Sequence, residues 1–321
     1  MLHHTRAQQA RSIAALYRRL ILSIQAKRWQ WAAGVLIGIA IYSYIGLRLW
    51  RDWSKFDLSV LQFRYEFLGL SWLAHSAGTL LAIWTWMLLL RQLGRPVPFT
   101  RHLKVYTAAN LARRLPGFVW WLVGRAYMYD HDGVDKRETV AASVLETVLI
   151  ATAACTVVAI SMAFPGLGTT FVSPFVLIVL LVGFACLLHP RFIQMVWRRL
   201  HISDTMPRLS WRKILQVFGC EMLVVLLGGV ALFLMLAAIY PVRSGGLAGA
   251  ITGWALTIVA SSVFFWLPFD LGFSSGVLTV AISMFVPAPV ALVTVVTWRL
   301  WVGVCELVWS VLGLATQINK T

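Results

Sequence analysis

Residues 110–125 read NLARRLPGFVWWLVGR. The stretch is apolar enough for a bilayer. Yet it carries Arg113, Arg114 and Arg125, and the helix-breaking pair Pro116-Gly117. Long apolar segments lie on either side of it. Whether it crosses the membrane decides the topology of everything after it.

The surrounding chain is built for lipid. Of its 321 residues, 60% are hydrophobic and only 12% charged. Windows of about 20 apolar residues mark transmembrane helices. They occur at 31–50, 66–90, 140–162, 172–188, 215–240, 249–267 and 290–313. The net charge of +16 is distributed as the positive-inside rule expects, not as a nucleic-acid surface. Arg6, Arg11, Arg18, Arg19, Lys27 and Arg28 precede the first segment, and Arg91, Arg95, Arg101 and Lys104 follow the second. A further basic group spans 190–213, whereas 163–173 has no charge and 241–248 has only Arg243. This places the N-terminus and the 91–104 and 190–213 loops in the cytoplasm, within a multi-pass cytoplasmic (inner) membrane protein.

Two domains are expected. Residues 1–30 form a basic segment and do not read as a signal peptide. Ile13, Leu16, Tyr17, Leu20, Ile21 and Ile24 suit an amphipathic helix on the membrane surface. A basic tail that only fixes topology fits the same residues. Residues 31–315 form one transmembrane domain. Many of the 16 tryptophans lie near segment ends, as an interfacial belt requires. Cys155, Cys186, Cys220 and Cys305 stand singly in apolar segments, without metal or redox spacing.

A shift of 152 residues overlays the apolar segments. Segment 66–90 falls on 218–242, and 140–162 falls on 292–314. Leu115-Pro116 falls on Leu267-Pro268, and Gly124 on Gly276, so LPGFVWWLVG aligns with LPFDLGFSSG. The positive-inside order would make the halves run oppositely. The expectation is therefore an all-α helical bundle with two inverted repeats, about 31–162 and 172–314.

This frame answers the opening stretch. Both its flanks, 91–104 and 125–139, are charged, and the next segment must run outwards. A re-entrant hairpin keeps that order, with its turn at Pro116 and Gly117. The counterpart is a hairpin turning at Pro268 and Gly272. If 249–267 crosses fully, the C-terminus lies on the other side.

Ionisable residues at membrane depth usually mark function. Arg113 and Arg114 suit phosphate recognition, because a guanidinium keeps its charge and offers a planar fork. Arg125 pairs with Glu146 or contacts substrate. Arg299 and Glu306, seven apart on one helix, would repeat that pair. Asp270 caps a turn or binds an amine or proton. Glu221 opens the fifth segment. His75 reads as a packing histidine and His102 as a solvated loop residue. His131 has no second ligand at metal spacing. No metal, cofactor, phosphate-cradling loop or nucleophilic dyad is expected, so an enzyme is not the first reading.

Tyr106 to Thr147 resembles the lysylphosphatidylglycerol synthase transmembrane-region family, the flippase-like part of the multiple peptide resistance factor. The residues that carry the resemblance are Leu115-Pro116-Gly117, Gly124-Arg125, Gly133 and Glu146, then Leu267-Pro268-Phe269-Asp270-Leu271-Gly272, Gly276 and Arg299. Ser275 stands where the family often has Glu, and Phe269-Asp270 replaces a glycine pair. The chain reads as a stand-alone member without the synthase domain. The resemblance implies translocation of a phospholipid or a polyprenyl-phosphate-linked glycolipid. Arg113, Arg114 and Arg125 would serve one opening, and Asp270 and Arg299 the other. Two alternatives stay open: a membrane-embedded lipid or glycosyl transferase, and a lipid-binding accessory subunit of a biosynthetic complex. The expected partners are membrane lipids, with a homo-oligomer or a biosynthetic enzyme left open.

Overall fold

A computed structural model describes residues 62–93, 97–113, 120–163, 173–199, 211–242, 245–264 and 270–318, together with positions 43 and 47. The described residues are helical, with no strand among them. In chain order the helices are α1 (Tyr65–Leu93), α2 (Phe99–Ala112), α3 (Trp120–Asp130), α4 (Lys136–Ala163), α5 (Pro174–Leu187), α6 (Pro190–Arg199), α7 (Trp211–Ile239), α8 (Gly246–Val263), α9 (Asp270–Ile282) and α10 (Ala288–Ile318). Five of them, α1, α4, α7, α8 and α10, are long and apolar enough to cross a membrane.

Two expected spans need comment. The segment 31–50 falls outside the described residues apart from Ser43 and Leu47. The segment 172–188 forms α5, whose 14 residues reach only about 21 Å. Pro174 opens α5, and Pro190 opens α6 directly after it, so no single helix of spanning length forms there.

Helix ends follow local chemistry. The α3–α4 corner is set by Gly133, at φ 77°. Around it the Val134 N–H donates to the Tyr129 carbonyl at 3.1 Å, and the Gly133 N–H to the Asp130 carbonyl at 3.0 Å. This is the Schellman pattern, and the left-handed position favours glycine. Asp135 then caps α4, its Oδ1 accepting from the Arg137 N–H at 2.7 Å.

Packing gives the bundle its plan. α1 and α7 pack closely and run antiparallel. Ser71 Oγ donates to the Ala231 carbonyl at 2.8 Å. Just before α1, the N–H groups of Gln62 and Arg64 satisfy the Ile239 and Ala238 carbonyls at the end of α7. Two helix pairs pack together, α2 with α3 and the 18-residue α8 with the shorter α9. Each long helix that follows a pair also packs on the first helix of the other pair: α10 on α2, and α4 on α8. Thr252 Oγ1 meets Ser161 Oγ at 2.8 Å in the α4–α8 contact. At the corresponding place on α10, a Cβ on Gly313 would sit 3.2 Å from the Lys104 Cα.

Ala153, Ala154, Cys155, Val157 and Val158 of α4, Val225 of α7 and Ala255, Leu256 and Val259 of α8 build an apolar layer between the helix sets. Other faces are apolar and open. Leu300, Val304, Leu307 and Val311 form an exposed stripe on α10, and Phe175, Ile178, Val179 and Val182 do so on α5. Patches of this kind are anomalous in water and ordinary against lipid.

Candidate functional site

The site begins with α2 and α3. Arg113 follows the last residue of α2 and is exposed. Its guanidinium lies over the Trp121 ring, 4.4 Å from the centroid. Trp121 is buried in the first turn of α3, while Trp120 beside it is exposed. One turn further along α3, the Arg125 guanidinium approaches the same Trp121 ring at 5.1 Å. Trp121 thus joins an arginine at the surface to one in the interior. Arg114, Pro116, Gly117 and Pro268 lie outside the described residues.

Arg125 is fully buried. Besides Trp121 it stacks on Tyr106 at 4.3 Å and on Trp86 at 4.4 Å. Rings from α1, α2 and α3 therefore surround it. A desolvated cation over an aromatic face gains about 2 kcal/mol, which offsets part of the cost of burial. Its Nη1 donates to Glu146 Oε2 of α4 at 2.5 Å. Its Nε and Nη2 have no hydrogen-bond partner among the described residues. Nη1 is therefore engaged, while no described residue engages Nε or Nη2. Glu221 of α7 is buried and lies within the field of both Arg125 and Glu146. The Tyr106 hydroxyl feels the charges of Glu146, Arg125, Arg113 and Glu221. Five helices thus bring one guanidinium, two carboxylates and three rings together. Nε and Nη2 of Arg125 are the donors in this group whose chemistry suits an anion.

Residues 31–305 match a family model described as Lysylphosphatidylglycerol synthase TM region. The chain belongs to the lysylphosphatidylglycerol synthase TM region family. It is therefore a family domain in a multi-pass helical membrane protein, and a lipid-related membrane function is consistent with both facts. Among curated proteins, none matches the chain.

Within this family domain, α2 and α3 are fixed to α1 by Trp86 and Tyr129, which the sequence did not single out, together with His102. Trp86 Nε1–H donates to the Tyr129 hydroxyl at 2.8 Å, and that hydroxyl meets His102 Nδ1 at 2.7 Å. A phenol oxygen can accept from two donors, so the imidazole tautomer sets which of the two groups donates in this contact. His102 is not the solvated loop residue expected from its basic neighbours. It is fully buried in α2. Burial is the main cause that lowers its pKa from 6.5 to about 4. Arg91 adds to this, while the Val97 carbonyl and Asp132 oppose it. Arg101, next to it, donates to Asp132 at 2.6 Å and to the Met128 carbonyl at 3.0 Å. Asp130 pairs with Lys136 at 3.0 Å. Neither Trp86 nor Tyr129 carries a sequence signal beyond aromatic character.

The second half of the family domain is built differently. Asp270 is the first residue of α9, and Gly272 is buried in its first turn. Arg299 of α10 donates through Nη2 to Ser274 Oγ of α9. This ties α9 to α10, as Arg125–Glu146 ties α3 to α4. The positions offset by 152 from Arg125 and Glu146 are Val277 and Trp298. Trp298 is buried and packs edge-on against His75 and Trp254. The buried charge of the first half thus has an apolar counterpart in the second.

Proposed function

We propose that this protein is a lipid transporter of the cytoplasmic membrane, with the N-terminus inside. It would move a phospholipid or a polyprenyl-phosphate-linked glycolipid between leaflets. The observation that carries this reading is the Arg113–Trp121–Arg125 stack. An exposed guanidinium receives the phosphate, and a buried one offers it Nε and Nη2. Such bidentate arginine contacts are the strong mode of phosphate recognition.

The two helix sets are read as inverted repeats, α1–α4 and α7–α10. The support is the antiparallel α1–α7 contact, two intervening helices before a closing long helix in each set, and the exchanged contacts of α10 on α2 and α4 on α8. The pairs α2–α3 and α8–α9 are read as re-entrant hairpins. Alternating exposure of the hairpins gives access to each leaflet, Arg113, Arg114 and Arg125 serving one and Asp270 and Arg299 the other. Reconstitution tests this. Purified protein in vesicles is expected to move labelled phosphatidylglycerol or a labelled prenyl-phosphate lipid to the opposite leaflet, and Arg125→Ala to abolish the movement. Equal rates in protein-containing and protein-free vesicles would sink the reading.

A further inference from the structure

Glu221 has no task in the mechanism above. It is 2% exposed, in the middle of an apolar helix environment. No described residue forms an ion pair with it, and the charges acting on it are those of Glu146 and Arg125. Other packed elements offer no relief. α8 has no ionisable side chain, and α2 contributes only the Tyr106 hydroxyl. On α1, His75 lies level with the Leu227–Ala231 stretch, because Ser71 reaches Ala231 and Gly78 meets Leu227. On α10, Arg299 is directed to Ser274, and Glu306 follows two turns later.

The charge count is then decisive. One guanidinium faces two carboxylates, so the ionised cluster carries a net charge of −1. An uncompensated charge in a dry site costs several kcal/mol. Arg125, Glu146 and Glu221 are 0%, 6% and 2% exposed, which leaves a proton as the compensator that fits. Nε and Nη2 of Arg125 have no hydrogen-bond partner among the described residues. A negative cluster repels a phosphate, whereas a neutral one lets it reach Nε and Nη2.

We propose that Glu221 is a proton-binding carboxylate, and that its protonation is linked to anion binding at Arg125. A hydronium ion gives up a proton: its O–H bond breaks as an O–H bond forms on the Glu221 carboxylate, and a water molecule is released. The linkage is reciprocal: a phosphodiester bound at Arg125 promotes proton uptake, and the proton promotes phosphodiester binding. The anion half rests on the lipid-phosphate reading above; the proton half does not.

Two measurements on the full chain in bilayers separate the halves. Infrared titration of the unliganded protein is expected to show a protonated-carboxyl stretch that Glu221→Gln lacks. If that variant does not fold, Glu221→Asp is expected to displace the band. A band identical in wild type and variant overturns the proton site. Dihexanoyl phosphatidylglycerol serves as the phosphodiester probe. Its affinity is expected to rise about tenfold per unit fall in pH over the titration of the site, the slope for one linked proton. In Glu221→Gln that slope should vanish. Wild-type binding that ignores pH overturns the linkage. Failure of the probe to bind at any pH overturns both the linkage and the lipid-phosphate reading, while the infrared band still decides the proton site.

Discussion

Removing Arg125 alone leaves Glu146 buried and unpaired. Arg125→Ala is expected to cost about 3–5 kcal/mol, read as lost thermal stability in detergent. Arg125→Lys should not restore the stacking, because an ammonium cannot lie flat on Trp86 and Tyr106. The double change Arg125→Met with Glu146→Leu is expected to recover most stability and no anion binding, which separates holding the fold from holding a ligand. His102 gives a pH signature. Its pKa falls from 6.5 to about 4, so the unfolded chain binds the extra proton between those values. Stability is therefore full above pH 6.5 and lost as pH falls towards 4. His102→Gln is expected to flatten that slope in unfolding measurements. At this scale the sequence was partly legible. A lone carboxylate in an apolar helix called for a cation, and Arg125 was the one at hand. The cage of rings was not legible, since Trp86 and Tyr106 lie 39 and 19 positions from Arg125 in the chain and only packing brings them together.

At the scale of elements, close helix approach depends on single glycines. A Cβ on Gly229 would lie 2.6 Å from the Ile251 Cα, which is backbone and cannot turn aside. Gly229→Ala is expected to push α7 and α8 apart, at about 1–3 kcal/mol. Gly219→Ala, with nothing within 4 Å, should leave the melting temperature unchanged or slightly raised. Long apolar helices were legible because their length and composition are themselves the signal. The 172–188 segment shows the limit of that signal: hydropathy marks a run of apolar residues, while Pro190 decides where its helix must stop. His102 shows another limit. A window of basic neighbours suggested water, but its helix turns it towards Tyr129.

At the scale of the whole molecule, the two helix sets hold each other through α4–α8 and α10–α2. If transport needs these sets to shift, a tether between them should stop it. Ser161→Cys with Thr252→Cys places two thiols where oxygens now sit 2.8 Å apart. In a background where the native cysteines are replaced, oxidation is expected to form the cross-link and block lipid movement, and reduction to restore it. Transport at full rate in the oxidised form would show that this contact stays closed throughout the cycle. The offset of 152 residues anticipated the order of these helices. It did not anticipate that the second half would carry Val277 and Trp298 where the first has a charge pair, because an offset compares positions and not burial.

The buried guanidinium also has a consequence for biogenesis. Two rings of its cage, Trp86 and Tyr106, are synthesised before Arg125, and its counter-charge Glu146 is synthesised after it. The 11-residue α3 is too short to cross a bilayer and carries an arginine that lipid rejects. If α3 is embedded as proposed, it enters the membrane in the company of α4, after the aromatic cage has been made. A nascent chain halted before Glu146 leaves a cation with a shelter but no counter-charge.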